Sequence, residues 1–589
     1  MDISVIEKKI NKLFLEKKFE DLIEISEKFT VVNKRPASMA NIVGVSKILK
    51  KNRTEADVSS ALELFNETFI NGKQTIHSLN GLIHLISISI QFTPKYKYLS
   101  KFIYLAEKYY LNSEKNYANN EKFLTSGIDL FSYLLNSEER QRAFKKLVSL
   151  DKLSKNSISS YLFSNNYLSD FSQKRHNETA RIYSSYFPKL RVKKIEKKNS
   201  NLNNKIKIGF VSGDFIKNHS IIFFIKDIIL KLNRGKFRVF LFSFSKKDLE
   251  DDSQNELRNL TDEWYDLGNF SNQKSVEIIQ KDKIEILIDL MGFTAPERIE
   301  LFNSKISPVQ ISMIGYCNTL GFDTSNFLMA DKNLILENEK KYYSERIIKM
   351  PNIWNAHSGF NYRRNFNKLP SLDCKYFTFG SLNNFKKISD DVIDTWSKIL
   401  QKNSTSRLLL KSSEYCDNEY LQSKFKKYGV LKQIEILNKG NFKNKKDHLE
   451  LYNKIDLALD TFPYNGVTTT FEALWMNVPV LVLKGYNFNS RCGESIISNS
   501  GINYLIAKTQ KEYVTKASFL SQNKEKLNQI RKKLFEDVLS TPLFDTTKYT
   551  EELCLILIKL INKNNYFVII FLSFLILLIF FFNSFSILI

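Results

Sequence analysis

The sequence predicts an α/β protein in which an all-α region precedes two doubly wound, Rossmann-like domains. Three observations lead to this prediction. Apolar residues recur at helical spacing over residues 1–198, short apolar runs separated by helical stretches begin at residue 205, and a second series of such runs begins near residue 376. Buried strands that alternate with helices are typical of a parallel sheet. A chain of 589 residues is also too long for a single hydrophobic core.

The first region, residues 1–198, is predicted to be wholly helical. Ile10, Leu13 and Phe14 show the helical spacing. The segments Ala61–Phe69 and Lys101–Ser113 each fit the second helix of a helical pair. Stacked pairs of this kind form tetratricopeptide-like arrays with a concave binding face. Because the sequence keeps no strict repeat, a plain helical bundle is the alternative interpretation.

Two α/β domains are predicted after the charged stretch 191–204. The first domain is placed at 205–336, residues 337–373 form a less regular linker, and the second domain is placed at 374–555. Predicted strands of the two domains lie at 205–212, 237–244, 284–291 and 309–315, and at 376–383, 407–411, 433–437, 455–460 and 478–485. Two such domains in tandem place a ligand cleft between the carboxyl ends of their strands.

Composition excludes some classes of protein. The net charge of +24 raises the alternative of nucleic-acid binding, but lysines are spread along the whole chain and no nucleic-acid-binding motif is present, so no nucleic-acid partner is expected. The five cysteines form no C-x-x-C pair, which fits a reducing compartment rather than a disulfide framework. The six histidines show no metal-ligand spacing.

The carboxyl terminus is predicted to be a transmembrane segment. No charged residue occurs from Asn564 to Ile589, and a helix of that length at about 1.5 Å per residue spans a bilayer of about 30 Å. Lys559 and Lys563 flank the segment on the side of the large domains, which places those domains in the cytoplasm, anchored to the membrane by this tail. A buried core helix is the alternative interpretation.

The segment Ile455–Leu483 carries the most informative motif. A strand ends at Asp460, a turn containing Asn465 and Gly466 follows, and Thr468 and Thr469 precede a helix predicted from near Phe471. Hydroxyl groups and free backbone N–H groups at a helix start form a site for a diphosphate. Glu472 has the chemistry to accept hydrogen bonds from ribose hydroxyls. The alternative is a plain capping box formed by Thr469 and Glu472.

This segment and five other blocks resemble the O-linked N-acetylglucosamine transferase family, which includes the SPINDLY-type proteins. The blocks are KIGFVSGDFIKNHS, ILIDLMGFT, SPVQISMIGY, YSERIIKMP, FGSLNNFKKIS and DTFPYNGVTTTFEALWMNVPVLVL, in order between Lys205 and Leu534. The resemblance implies a GT-B fold, a UDP-sugar donor, and inverting transfer of N-acetylglucosamine to Ser or Thr hydroxyls of a protein that the helical array presents.

The resemblance also implies which residues hold the donor. Lys387 matches a lysine that contacts the diphosphate, where a cation offsets the charge that develops on the leaving UDP. The other matching positions are Asn384, Thr468 and Thr469 at the diphosphate, Glu472 at the ribose and His448 at the uracil ring. An ordinary histidine on a helix face is the alternative for His448. Val467 departs from the histidine or glycine of some relatives.

On the acceptor side, the resemblance points to the loops after the first and fourth predicted strands. His219 matches a family histidine close to sugar and acceptor, where a general base is expected. Asp214 is expected to orient it. Gly315 and Tyr316 match a family Gly-Tyr pair, but the chain continues Cys317-Asn318-Thr319 where relatives carry Pro-Gly-Thr. The choice of sugar is therefore open at Thr319 and its neighbours.

No metal or other cofactor is expected. Asp390 and Asp391 open a helix and do not form a D-x-D metal pair after a strand. Lys387, the two threonines and the helix start would take the place of a metal at the diphosphate. Two other functions remain open at this stage: transfer of glucose from UDP-glucose to asparagine side chains, and a catalytically inactive helical scaffold that only binds nucleotide.

Overall fold

The structure is a computed structural model. It describes residues 3–30, 35–93, 95–150, 153–169, 171–194, 205–216, 219–245, 252–295, 297–324, 326–362, 365–412, 418–437 and 444–562. The chain forms two compact units, which are described separately. The first unit comprises Met1–Ser157, Asn384–Asp390 and Ser412–Leu431, and the second comprises the remaining residues.

The first unit is helical in the part that the structure describes. Its helices are α1 (Ile3–Leu15), α2 (Phe19–Thr30), α3 (Ala37–Leu49), α4 (Glu55–Asn71), α5 (Ile76–Phe92), α6 (Ser100–Tyr117), α7 (Glu121–Tyr133), α8 (Ser137–Val148), the start of α9 (Lys155–Ser164) and α16 (Asn418–Lys427). Each helix from α1 to α7 contacts the next one, and α1, α3, α5 and α7 also contact one another in succession. This alternate packing is typical of stacked helix pairs and favours the predicted array over a plain bundle.

Local sequence explains how the helix pairs turn. Thr54 caps α4 through a capping box with Asp57. Between α4 and α5, a Cβ on Gly72 would lie 2.5 Å from the backbone nitrogen of Ser78, so a larger residue would force the two helices apart. The apolar faces of the first three helices meet in a core that includes Ile6, Leu22 and Val43. Burial of these faces holds the array together because isolated helices of this length are marginally stable.

The second unit contains two parallel sheets. The first sheet comprises β1 (Ile206–Ser212), β2 (Phe237–Ser243), β3 (Glu263–Asp266), β4 (Ile286–Asp289), β5 (Val309–Ser312), β6 (Phe327–Asp331) and β7 (Arg346–Met350). Their order is β3-β2-β1-β4-β5-β6-β7, with Ile208 opposite Val239 on one side and Ile286 on the other. The helices of this domain are α11 (Ser220–Lys231), α12 (Asp252–Asn259), α13 (Asn272–Lys281) and α14 (Glu300–Asn303).

The second sheet is built in the same way. It comprises β8 (Thr378–Ser381), β9 (Arg407–Lys411), β10 (Ile434–Leu437), β11 (Leu457–Leu459), β12 (Val480–Leu483) and β13 (Ile506–Ala507), in the order β10-β9-β8-β11-β12-β13. Its helices are α15 (Asp390–Lys402), α17 (Lys445–Glu450), α18 (Thr468–Trp475), α19 (Cys492–Ser498), α20 (Gln510–Gln522) and α21 (Lys524–Asp537). Strand order reverses between β8 and β11, so a crevice opens at their carboxyl ends.

The predicted strands and the two doubly wound domains are confirmed, but the predicted boundaries need correction. Strand β7 lies inside 337–373, the predicted linker, and pairs with β6 as the edge of the first sheet. The first domain therefore extends at least to Met350. The four strands that the sequence did not predict are β3, β6, β7 and β13, which lack long apolar runs or have only two residues.

The predicted ends of the helical array and of the second α/β domain also need correction. Helix α10 (Gln173–Ser184), predicted as part of the helical array, belongs to the second unit, where His176 lies 3.2 Å from the hydroxyl of Tyr316. At the other end, helical residues 546–562 return to the first α/β domain, where Thr546 accepts a hydrogen bond from Lys231 and donates one to Asp227. Thr546, which the sequence assigned to the second domain, therefore contacts the first one.

Among the described helices, none combines the length and the apolar character that crossing a bilayer requires. The tail predicted to cross the membrane, 564–589, lies outside the described residues. The transmembrane segment stays a prediction from the sequence.

Candidate active site

The loop that follows β11 is held rigid by its own polar groups. Oδ1 of the buried Asp460 accepts hydrogen bonds from the backbone nitrogens of Thr461 (2.9 Å) and Gly466 (2.7 Å). Asn465 donates to the carbonyl of Thr461 and accepts from the backbone nitrogen of Gly493. The Phe462–Pro463 peptide bond is cis. The hydrogen bonds of Asp460 and Asn465 fix the position at which the chain enters α18.

Helix α18 begins at Thr468, three residues earlier than the sequence predicted. Its N-cap is Val467, which makes no capping hydrogen bond. The hydroxyl of Thr469 donates to Oδ1 of Asn383 at 2.8 Å instead of capping the helix. The structure therefore excludes the capping box of Thr469 and Glu472. Thr468 and Thr469, both partly buried, lie in the first turn, where the backbone N–H groups and the helix dipole favour an anion.

Glu472 is the centre of a buried polar cluster. Its Oε2 lies 2.9 Å from Nε2 of His448 and accepts a hydrogen bond from the Tyr452 hydroxyl at 3.0 Å. Its Oε1 accepts a hydrogen bond from Lys445. The Glu472 side chain is only 3% exposed. We refer to Lys445, His448, Tyr452 and Glu472 as the Glu472 cluster.

Charge holds this cluster together. Burial by itself would raise the pKa of Glu472, but the neighbouring His448 and Lys445 hold that pKa well below its ordinary value. Glu472 is therefore ionised at neutral pH. Burial and the adjacent Glu472 carboxylate raise the pKa of Tyr452 far above its ordinary value, so this hydroxyl acts as a hydrogen-bond donor. A buried carboxylate with three partners positions their side chains more firmly than an exposed one would.

A small pocket lies between the Glu472 cluster and the first turn of α18. It is lined by the ends of β8 and β11 and by the first two turns of α18, and its polar lining includes Ser381, Asn383, Tyr452, Asp460 and Thr469. This is the crevice at the point where strand order reverses. The helix start beside this crevice suits an anionic group such as a phosphate.

Asn384 and Lys387, the two other predicted diphosphate ligands, lie in the segment Asn384–Asp390, which groups with the first compact unit. The Asn384 side chain accepts a hydrogen bond from the backbone nitrogen of Lys386 at 3.0 Å and begins a 3₁₀ turn that ends at Lys387. The sequence placed this segment correctly, directly after a strand and before a helix. The roles of Asn384 and Lys387 at a diphosphate stay predictions.

His219 and Asp214 lie on the loop after β1. His219 is the N-cap of α11, and its Nδ1 accepts a long, 3.5 Å hydrogen bond from the backbone nitrogen of Ile221. This contact favours the tautomer with the proton on Nε2. Nε2 lies 3.8 Å from Oδ1 of Asp214, and the side chains are 40% and 32% exposed. The predicted orientation of His219 by Asp214 is therefore geometrically available, and the role of His219 as base stays a prediction.

Of the other three predicted acceptor-side residues, Tyr316 and Thr319 are buried and Gly315 is half-buried. A Cβ on Gly315 would lie 1.9 Å from the carbonyl oxygen of Leu290, so only glycine fits there. The Tyr316 hydroxyl approaches His176, and Thr319 donates to Glu345 at 2.7 Å. These contacts give Gly315, Tyr316 and Thr319 packing roles in the loop, and their contact with a sugar stays a prediction.

Sequence reasoning missed Lys445, Tyr452 and Asn383. Lys445 precedes His448 by three positions on α17, one helical turn, and this spacing was the available signal. The sequence predicted a ligand role for Asn384 and not for the preceding residue, Asn383, which accepts the hydrogen bond from Thr469. Nothing in the local sequence indicates that Tyr452 bonds Glu472. Within the described residues, no group of three or more His, Cys, Asp or Glu side chains is arranged to hold a metal ion.

Comparison with known proteins places this geometry in context. The sequence model of the family described as Glycosyl transferase family 41 matches residues 138–370 and 361–553. A probable UDP-N-acetylglucosamine–peptide N-acetylglucosaminyltransferase, SPINDLY, from Solanum lycopersicum is 29% identical over 413 residues, which cover 69% of this chain and 44% of the relative. The related SEC protein of Arabidopsis thaliana is 27% identical over 358 residues, 59% of this chain and 36% of the relative. The chain thus spans less than half the length of these curated relatives.

One solved structure matches most of the chain. A mutant O-GlcNAc transferase from Thermobaculum terrenum superimposes with a TM-score of 0.75 at 21% sequence identity and covers 90% of this chain and 99% of its own. At this identity the match shows the fold, a helical region followed by the two-domain GT-B arrangement, and it confirms the predicted fold class.

Proposed function

The chain belongs to glycosyltransferase family 41, and from that premise we propose that it transfers a sugar from a UDP-sugar donor to a protein acceptor. The resemblance to the O-linked N-acetylglucosamine transferase family is confirmed by this match and by the curated relatives. The observation that carries the proposal is the Glu472 cluster beside the first turn of α18. It offers polar groups for a nucleoside next to a helix start for a diphosphate.

N-acetylglucosamine is the expected sugar, and serine and threonine hydroxyls are the expected acceptors. The acceptor oxygen attacks the anomeric carbon as its proton passes to a base, and the bond from that carbon to the phosphate oxygen breaks. UDP leaves with the bonding electron pair, and the configuration at the anomeric carbon is inverted. We propose that His219 is the base or lies beside the base, because its imidazole is accessible and lies near Asp214.

The charge on the leaving UDP would be stabilised by protein groups. The first turn of α18, with Thr468 and Thr469, supplies N–H and hydroxyl donors, and the motif that contains Lys387 supplies a cation. We therefore propose that transfer requires no metal ion. The helical array is the proposed binding surface for the acceptor protein, and the apolar tail is the proposed membrane anchor of cytoplasmic domains.

The test uses the full-length chain in mild detergent with EDTA and a lysate of its own host. UDP-N-acetylglucosamine, UDP-glucose and a GDP-sugar are supplied separately, and nucleotide release and protein-bound sugar are measured. We expect release of UDP and attachment of N-acetylglucosamine to serine or threonine in the presence of EDTA. If peptide mapping finds glucose on asparagine, the donor is UDP-glucose and the acceptor is an asparagine side chain, contrary to the proposal. Tight UDP binding without transfer from any donor would favour a nucleotide-binding scaffold.

A further inference from the structure

Helix α11 carries two different features within its first two turns. Its N-cap is His219, the proposed base, which is accessible to solvent. Phe223 follows four residues later and Phe224 five residues later, and both face the second α/β domain, as their contacts below show. Phe223 lies in the first turn of α11, which begins directly after the N-cap residue His219, so the position of this helix start and the position of His219 are linked through the backbone.

Phe223 touches the Glu472 cluster directly. The ammonium group of Lys445 lies 5.3 Å from the centre of the Phe223 ring and 5.0 Å from that of Phe360. The same ammonium group donates to Glu472. A cation held between two aromatic faces and a carboxylate is strongly oriented. Lys445 therefore joins the proposed nucleoside site of the second domain to α11 of the first domain.

His357 provides a second link. Its ring is stacked on the Phe223 ring, with the ring centres 5.4 Å apart and an angle of 5° between the ring planes, and on the Phe471 ring, with the centres 5.4 Å apart and an angle of 23°. Phe471 directly precedes Glu472 on α18. Phe224 meets Phe471 edge-on at 5.4 Å. The three rings Phe223, His357 and Phe471 form a continuous stack from α11 to α18, which we call the interdomain stack.

The backbone around His357 fixes its ring. Ser358 donates from its backbone nitrogen to the carbonyl of Phe223 at 2.7 Å, and His357 donates in the same way to Leu543 at 2.9 Å. Nδ1 of His357 accepts from the backbone nitrogen of Gly359 at 2.9 Å. Gly359 has φ of +82°, and a Cβ there would lie 2.7 Å from the Trp475 ring. His357 is fully buried, and burial lowers its pKa to about 3, so the ring is neutral.

We propose that Phe223 and His357 are positioning residues that couple occupancy of the Glu472 cluster to the alignment of His219. The expected effect on catalysis rests on the proposed function, whereas the structural coupling between the Glu472 cluster and His219 does not. When a nucleoside engages the cluster, the interdomain stack transmits the fixed position of Lys445 and α18 to the start of α11. His219 then lies in its working orientation when the donor is bound.

The kinetic test replaces Phe223 in the full-length chain. Phe223→Leu removes the ring from the interdomain stack and from Lys445, and Phe223→Tyr keeps it. The turnover number kcat is counted per UDP-binding site. We expect Phe223→Leu to lower kcat about tenfold, while UDP affinity changes less than about threefold. We expect Phe223→Tyr to restore kcat. Phe240→Leu, at a buried position in β2, is the matched control for lost stability and should leave kcat per site unchanged. An equal loss of UDP affinity and kcat would overturn the positioning role.

A second measurement does not depend on transfer. The rate at which diethyl pyrocarbonate modifies His219 is followed by mass spectrometry with and without UDP. We expect UDP to change this rate at least about threefold in the unmodified chain and to have no such effect in Phe223→Leu or His357→Leu, although both variants still bind UDP. The same UDP response in all three proteins would overturn the coupling. If transfer fails with every donor but the coupled response persists, the proposed function fails and this inference stands.

Discussion

Nε2 of His448 lies 2.9 Å from Oε2 of Glu472, and both side chains are more than nine-tenths buried. A buried carboxylate needs compensating partners, since an unpaired buried charge is strongly destabilising. Here His448, Lys445 and Tyr452 provide them. The pair therefore sets the geometry of the proposed nucleoside site before any ligand binds.

The first prediction concerns Glu472. Glu472→Gln removes the charge that holds Lys445 and His448, so we expect UDP affinity to fall about 10- to 100-fold, the effect of losing one or two charge-assisted hydrogen bonds. Calorimetric titration with UDP measures this change. Glu494→Gln is the matched control, because Glu494 is also a buried glutamate on the following helix and pairs with Lys484. Equal affinity of the Glu472 and Glu494 variants would contradict the assignment.

The second prediction concerns Lys387. If its ammonium group stabilises the leaving UDP, Lys387→Ala should lower kcat roughly 100- to 1,000-fold while donor binding weakens less. Initial rates at saturating donor measure the effect. Lys386→Ala provides the control, since Lys386 is the adjacent lysine in the same 3₁₀ turn. Transfer at the unchanged rate in Lys387→Ala would remove Lys387 from the mechanism.

The third prediction concerns Gly466. A Cβ at this position would lie 2.4 Å from the Thr469 hydroxyl and 2.9 Å from Oδ1 of both Asn383 and Asp460. Gly466→Ala should therefore displace Thr469 and lower UDP affinity at least about tenfold, which equilibrium binding can measure. In Gly235→Ala, the added Cβ would approach only the Asn233 side chain, at 3.1 Å, so UDP affinity should not change. Unchanged binding by Gly466→Ala would argue against a diphosphate at the start of α18.

The fourth prediction concerns the pH dependence of stability at Asp331. Burial raises the pKa of this carboxyl group to about 6, against the hydrogen bonds from Ser495 and three backbone nitrogens. A raised pKa means that the folded state binds the proton more tightly. The contribution to stability is therefore complete below the unfolded value of about 4 and is lost as pH rises through about 6, by roughly 3 kcal/mol in total.

Asp331→Asn removes this titration. The melting temperature of the unmodified chain relative to that of Asp331→Asn should therefore rise as pH is lowered from 7.5 to 4.5. Taking the difference between the two proteins cancels the groups that they share. A difference that is constant across this range, or that falls at low pH, would show that Asp331 does not carry the raised pKa.

Much of the fold could be predicted because its signals are local. The apolar runs that became β1, β2, β8 and β9 are short, bounded by polar turns and separated by helical stretches, so their type and order follow from periodicity alone. Strand β13 has only two residues, and β7 carries an exposed arginine and a lysine. Such strands exist because a neighbouring strand supplies their hydrogen bonds, and local sequence does not contain that information.

The sequence by itself determined the fold class, the family and the loop from Asp460 to Glu472, because turn chemistry, strand periodicity and motif spacing are properties of adjacent residues. The tertiary structure decided which side chains work together. It paired Glu472 with Lys445 and His448, which lie 27 and 24 positions away, and it stacked His357 between Phe223 and Phe471. Such contacts depend on how sheets and helices pack, since packing brings together residues whose separation in the chain carries no periodic signal.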